Sequence, residues 1–222
     1  MNIVFSILLA IAIAGCSITY FSKEKIKQSK GVANKIKASM AISRKQAIVI
    51  ALAVLLEAGT YIIGVYAYHA EFFMTLRWQV AIGMMLPIAA IDYKKQIIPN
   101  FFLLGMLALT AVLVTIQIIF NQAFILNILG TALIGSVVAG GIFFIASLFV
   151  KNGIGAGDTK LFFTLGLLLT MRGIFNVLLY SMVISAVFSI VLLIARKKKS
   201  KDVLPLAPFA IIGIALSIAF GV

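Results

Sequence analysis

The sequence predicts an all-α membrane protein with about eight transmembrane helices. Apolar residues make up 63% of the 222 residues, and the mean hydropathy is +1.18. Soluble domains are only roughly half apolar, and a soluble fold of this composition would leave large apolar patches in water. Two further observations agree: apolar runs of spanning length recur along the chain, and basic residues lie in blocks between them.

Eight apolar runs are candidate spans, because a transmembrane helix needs roughly 17–25 apolar residues. They lie at about 3–21, 47–69, 78–92, 99–120, 123–150, 157–171, 173–195 and 203–221. The runs at 78–92 and 157–171 are short, and each has an aspartate at one end. We expect an N-terminal membrane region with a basic loop at 1–78 and a membrane core at 79–222.

Lysine and arginine are sorted to one side of these spans. If the N-terminus lies outside, all of the 19 basic residues except Arg77 and Arg172 fall in inner segments. Basic loops mark the cytoplasmic side, so the net charge of +13 indicates orientation and contact with the lipid bilayer rather than nucleic-acid binding. The inner segments are 22–46, 92–99, 151–160 and 196–202.

The chain is poor in the residues that most hydrolytic sites use. Cys16 and His69 are its single cysteine and its single histidine, and they lie in or beside different apolar runs. A thiol zinc site, a Ser–His pair and a Cys–His pair are therefore not expected. No phosphate-binding loop of the G-x-x-x-x-G-K type is present. We expect neither a metal nor a cofactor.

Three glycines at alternate positions precede an aspartate in the run GIGAGDTK, residues 153–160. Glycine permits tight turns and the close approach of another segment, so the run predicts a loop that brings the aspartate to a partner. The simpler alternative is a turn in which the aspartate caps a helix. The residues concerned are Gly153, Gly155, Gly157, Asp158 and Lys160.

A second polar stretch, IDYKKQIIPN at 91–100, separates two spans on the same predicted side. Asp92 ends one span, Pro99 suits the first turn of the next, and Asn100 can bond to exposed backbone there. By itself this stretch is equally well explained as a turn. Together, Asp92 and Asp158 form a candidate acid–base pair, because two close carboxyl groups cannot both ionise easily.

The two stretches resemble the paired signature of the prepilin, or type IV leader, peptidases, which are membrane aspartyl proteases of the GxGD class. The matching patterns are Asp92-x6-Pro99-Asn100 and Gly155-x-Gly157-Asp158-x-Lys160. Pro205 and Pro208, in the run LPLAPF, also resemble the proline-containing start of the family's last span. The resemblance covers about 80–222 and implies the GxGD-type protease fold.

The resemblance also implies an activity and a place for it. The family cleaves the short basic leader of pilin-like precursors at the cytoplasmic face of a prokaryotic plasma membrane. It implies Asp92 and Asp158 as catalytic residues, a type IV prepilin or pseudopilin precursor as partner, and a substrate-facing role for the glycine loop. Lys160 either steadies Asp158 or anchors its helix, and we favour the anchor.

The N-terminal third departs from the family's long form. Bifunctional members carry two C-x-x-C pairs in the first cytoplasmic loop and also N-methylate the new N-terminus. Residues 22–46 contain no cysteine, so the zinc-bound subdomain is not expected and a methyltransferase activity stays open. Glu57 and Thr60 weakly resemble an E-x-x-T segment; Glu57 is either a remnant of that site or a buried acid with a local partner.

Two other function classes fit parts of the sequence. Acidic residues at membrane depth also bind ions, so a small ion-coupled transporter is one alternative. A non-catalytic factor of pilus or secretion assembly is another. Presenilin-type enzymes share a G-x-G-D loop, but they usually place a tyrosine before the first aspartate, where this chain has Ile91, and they lack the D-x6-P-N spacing.

Overall fold

A computed structural model describes residues 71–149, 155–195 and 204–220, with four isolated helical positions at Leu55, Ala58, Gly59 and Ile62. The predicted span at 3–21 and the basic stretch at 22–46 lie outside the described residues, as does the span at 47–69 apart from those four positions. The fold below is that of the described part of the chain.

Helices make up nearly all of the described structure, which confirms the all-α membrane class. Four of them are long and apolar enough to cross a membrane, and the last is a shorter apolar helix. The total of eight spans stays a prediction. The helices are α1 Phe72–Lys95, α2 Asn100–Phe120, α3 Ile125–Phe149, α4 Ala156–Ile194 and α5 Ala207–Ala219; a 3₁₀ turn, Gln122–Phe124, precedes α3.

The central helix is α1. Its most apolar stretch is 83% buried, whereas the corresponding stretches of α2, α3 and α4 are between 17% and 33% buried and present large apolar side chains outward. Lys94 and Lys95 in its last turn suit the negative end of the helix dipole. The helix ends at Lys95: the N–H of the C-cap residue Gln96 still donates to Asp92 O at 2.8 Å, and the left-handed backbone of Gln96 (φ 53°, ψ 39°) then turns the chain away.

Helices α3 and α4 pack with their backbones in contact. A Cβ added to Gly166 would overlap Gly135 O, and one added to Gly135 would lie 2.7 Å from Met171 N. Beside this crossing Phe143 and Phe162 stack, with ring centroids 4.1 Å apart and planes 9° apart. In a membrane the hydrophobic effect does not drive helices together, because lipid is as apolar as the helix surface. Helices associate instead by close packing, which small residues permit.

Helix α4 is interrupted at Thr170, whose backbone (φ 61°, ψ 179°) is far from helical. Its 39 residues would be about 58 Å long as one straight helix, roughly twice the hydrocarbon thickness of a bilayer. Before the break, Gly157 lies against Ile98 just beyond the end of α1, and Leu168 contacts Arg77 near its beginning. Residues 156–169 therefore run antiparallel to α1.

After the break the chain returns. Phe188 packs on Phe209 at the start of α5, with ring centroids 5.4 Å apart, and Tyr180 packs on Phe220 beyond its end, at 5.8 Å. Because α5 begins beside Asp92, residues 171–194 run back to the Asp92 end of the bundle. The predicted spans 157–171 and 173–195 thus correspond to two helices that meet at Thr170.

The sequence predicts that Arg77 lies in a connection between two spans, but the structure places it inside a helix. Helix α1 begins at Phe72, six residues before the predicted span, and Arg77 is only 5% exposed. Its guanidinium donates to Leu168 O at 3.1 Å and to Gln117 Oε1 at 2.6 Å. The break at Thr170 removes the helical partner of the Leu168 carbonyl, and Arg77 replaces it where water is absent.

We expect Thr170→Gly to stabilise the protein. A threonine in this backbone region costs about 1–3 kcal/mol, which exceeds the roughly 0.5–1 kcal/mol that glycine costs in a helix interior. Thr115→Gly in α2 is the matched control, because Thr115 is an exposed helical residue. Thermal unfolding in one detergent should show a higher midpoint for Thr170→Gly and a lower one for Thr115→Gly. Equal lowering by both would contradict strain at Thr170.

Candidate active site

Asp92 is a buried carboxyl group held by a backbone donor from a distant helix. Its side chain is 4% exposed, and Oδ2 accepts a hydrogen bond of 3.0 Å from the N–H of Ala207, the first residue of α5. The N-terminus of a helix has free N–H groups and favours negative charge. Pro208 lies in the first turn of α5 and has no backbone N–H. Its presence there does not destabilise the helix, because an N–H in the first turn has no partner within the helix.

Asp158 is held by the glycine loop that precedes it. It is the third residue of α4, and its Oδ2 accepts a 3.1 Å hydrogen bond from the N–H of Gly155, the N-cap. The Asp158 N–H in turn donates to Gly155 O at 3.0 Å. Asp158 therefore does cap its helix, as the simpler alternative predicted, but it is not the N-cap residue. It is the third residue of the helix, and its side chain accepts from the N–H of the N-cap residue Gly155.

The two aspartate-bearing segments touch. A Cβ on Gly157 would lie 3.2 Å from the Cβ of Ile98, which lies between Asp92 and Pro99. Asp158 itself is half-buried. The glycine before Asp158 thus permits the close approach that the glycine pattern predicts, and the structure brings both aspartates to the same end of the bundle.

This arrangement favours acid–base chemistry. Two carboxyl groups at one end of a bundle that are partly shielded from water can share one proton, so that one is an acid while the other is a base. Each already has one backbone N–H that fixes its orientation, from Ala207 for Asp92 and from Gly155 for Asp158. Within residues 71–149, 155–195 and 204–220 no cluster of three His, Cys, Asp or Glu side chains could hold a metal.

The other predicted site residues that the structure describes lie around this pair. Pro99 is half-buried and extended (φ −71°, ψ 126°), and it precedes rather than enters α2. Asn100 and Lys160 are exposed and line a neighbouring groove. Gly153 and Glu57 lie outside the described residues. Sequence analysis missed Ala207, since a backbone donor leaves no side-chain signature; the prolines of the LPLAPF run were its nearest signal.

The groove, hereafter the α2–α4 groove, is a cleft of about 720 Å³ between α2, α3 and α4. Its walls are mostly apolar, and it begins at the last residues of each motif, which are Asn100 in one and Thr159 and Lys160 in the other. Its lining consists of Asn100, Leu103, Leu104, Leu107, Val137, Gly140, Gly141, Phe144, Thr159, Lys160, Phe163 and Thr164.

Comparison with known proteins agrees with this geometry. The type IV leader peptidase family matches residues 79–190, half of the 222-residue chain, and the matched region contains both aspartates. The chain belongs to the type IV leader peptidase family. It is thus a type IV leader peptidase-like protease of the membrane, as the resemblance implied. No curated protein and no solved structure matched the chain.

We expect Gly157→Ala to impair this peptidase more than Gly155→Ala. The new Cβ at position 157 lies 3.2 Å from Ile98 and must push the two aspartate segments apart, whereas at position 155 its nearest neighbour is at an ordinary 3.4 Å. Because displacements of about 1 Å can cost roughly a hundredfold in rate, a shift of a few tenths should cost about threefold or more. Initial rates at equal membrane expression measure this. A wild-type rate for Gly157→Ala would show that the contact does not position Asp158.

Proposed function

We propose that the protein is an aspartic endopeptidase that removes the basic leader of type IV pilin or pseudopilin precursors. The observation that carries the proposal is the contact between the two motif segments, which brings Asp92 and Asp158 to one end of the bundle. Membership of the leader peptidase family supports the same reaction class.

The proposed reaction uses the aspartate pair with one shared proton. The ionised carboxylate takes a proton from a water molecule, whose oxygen attacks the scissile carbonyl carbon. The protonated carboxyl group donates its proton to the carbonyl oxygen as the tetrahedral intermediate forms. When that intermediate collapses, one of its hydroxyl groups returns a proton to the ionised carboxylate and re-forms the carbonyl, the C–N bond breaks, and the protonated carboxyl group gives its proton to the leaving amine. The pair then again holds one proton.

The site's surroundings fit a substrate that begins in water and continues in lipid. Asp92 lies one turn before the end of α1 and Asp158 in the first turn of α4, so both are near the edge of apolar helices. We place this edge at the cytoplasmic face of the plasma membrane of a prokaryote, because the sequence sorts its basic residues there. The peptidase core at 79–222, the region at 1–78 and the total of eight spans belong to the same proposal.

Replacing either aspartate should abolish cleavage. We expect Asp92→Asn and Asp158→Asn each to lower the rate at least about a thousandfold, because an amide can neither accept the water's proton nor return it. Glu71→Gln is the control, since Glu71 is an exposed acid before the first turn of α1, at the opposite end of the helix from Asp92. Each variant is co-expressed with candidate precursors, and loss of the leader is scored by gel shift.

The same experiment separates the alternatives. Membrane fractionation is used to check that each variant inserts. Loss of cleavage by an inserted variant then reports a chemical defect rather than a failure of insertion. Normal processing by either aspartate variant would refute the proposal. A transporter would move protons or ions in liposomes without cleaving a precursor, and an assembly factor would tolerate alanine at both positions in cells.

A further inference from the structure

We propose that the α2–α4 groove binds the apolar segment of the precursor that adjoins the scissile bond. The proposal rests on the proposed function and adds a substrate-binding surface to it. It predicts that the enzyme recognises its substrate through a membrane-embedded helix face as well as through the cleaved peptide.

The groove starts at the candidate active site. Thr159 directly follows Asp158, and Asn100 directly follows Pro99; both residues line the groove's Asp92 end. A peptide bond positioned at the aspartates therefore has the groove as the immediate continuation of its path. A lipid-filled crevice or a contact between copies would have no reason to begin at both motif segments.

The walls determine what can occupy the groove. They are formed by leucine, valine and phenylalanine side chains on helices of spanning length, and Leu104, Val137 and Phe144 are exposed. An occupant at this depth must be apolar, and its backbone must satisfy its own hydrogen bonds. An apolar helix that lays one face against the groove meets both conditions.

The groove's polar end fits the place where such a helix must unwind. Of the described residues that line the groove, only Lys160 is charged, and it lies beside Thr159 and Asn100. A helix opened for cleavage exposes carbonyl oxygens that have lost their partners. The ammonium of Lys160 and the amide of Asn100 can donate to such carbonyls at the point where the chain passes from groove to aspartates.

Two neighbouring glycines of α3 show which position keeps the groove open. A Cβ on Gly140 would lie 2.9 Å from Phe163 Cβ, so that glycine serves packing. A Cβ on Gly141, which also lines the groove, would meet no atom of the described residues within 4 Å. A larger side chain at 141 should therefore enter the groove without disturbing the described helices.

Helix α3 also contains a glycine that is suitable as a matched control. In the described part of the chain, Gly130 too has no atom within 4 Å of an added Cβ, and it does not line the groove. It lies eleven residues before Gly141, which is about three turns, so both glycines point to nearly the same side of α3. A substitution at 130 thus repeats the change in helix propensity and lipid exposure without filling the groove.

We test the groove with Gly141→Leu and Gly130→Leu on two substrates. One is the full precursor; the other is a peptide with the leader and the scissile bond but without the apolar segment. We expect Gly141→Leu to lower kcat/KM for the full precursor about tenfold, since side-chain exclusion from an apolar pocket costs about that much. The peptide's kcat/KM should be unchanged, and Gly130→Leu should leave both values unchanged.

The outcomes distinguish this proposal from the proposed function. If the wild type cleaves neither substrate, the proposed function is wrong. If the wild type cleaves the full precursor and Gly141→Leu does so equally well, the groove proposal is wrong and the function stands. Loss of activity on both substrates would place residue 141 in folding or catalysis and would also refute the groove proposal.

Photo-crosslinking identifies the occupant without relying on turnover. A photoreactive phenylalanine analogue at position 141 or 130, in the Asp158→Asn background, is irradiated in membranes that contain the full precursor. An adduct with the precursor's apolar segment from position 141 but not from 130 is the expected result. An adduct with a second copy of this chain, or with lipid alone, would overturn the proposal.

Discussion

The hydrogen bond from Ala207 N–H to the Asp92 carboxyl group is the interaction on which the rest of this bundle depends. A carboxyl group buried among apolar helices is costly unless it is bonded. Its partner is 115 residues away in the sequence, beyond the whole of α2, α3 and α4, so the bond joins the two ends of the described bundle. Helix α5 is held in turn by α4: a Cβ on Gly213 would lie 2.8 Å from Val177 O, which leaves no space between the two backbones. The candidate site is therefore complete only when the second half of α4 has returned to the Asp92 end.

That return depends on a second polar interaction at the opposite end of α1. Reversing the chain within α4 breaks the helical ladder at Thr170 and leaves carbonyl groups without partners where water is absent. Arg77 donates to one of them and is itself fixed by Gln117. Helix α1 thus bonds to the rest of the bundle near both of its ends, through Arg77 at one and Asp92 at the other. A buried central helix with polar anchors at both ends sets the depth of its neighbours in a way that apolar contacts alone would not.

Some of this could be predicted from sequence, and the reasons differ by residue. Positive-charge sorting placed Asp92 and Asp158 on one side, because loop charge is a property of the chain itself, and the structure brings them to the same end. The predicted span 99–120 agrees with α2 because its polar boundaries are abrupt. Arg77 was misplaced because a charged residue ends an apolar run on any hydropathy scale, although a buried carbonyl can compensate it. Ala207 was missed because its contribution is an N–H that every residue but proline has.

The glycines show most clearly what the sequence alone cannot predict, which is whether a glycine allows close packing or leaves open space. At position 157 it lets Ile98 approach the segment of Asp158, and at positions 135 and 166 it lets two helix backbones touch. At position 141 the same residue does the opposite, since it leaves space that no part of the described chain fills. A pattern of glycines cannot distinguish these uses, because closeness and openness depend on what the other helices present. The role of Gly141 can therefore be assigned only once the groove that begins beside Asp158 is known. The position of that groove and its apolar walls favour a substrate helix as its occupant.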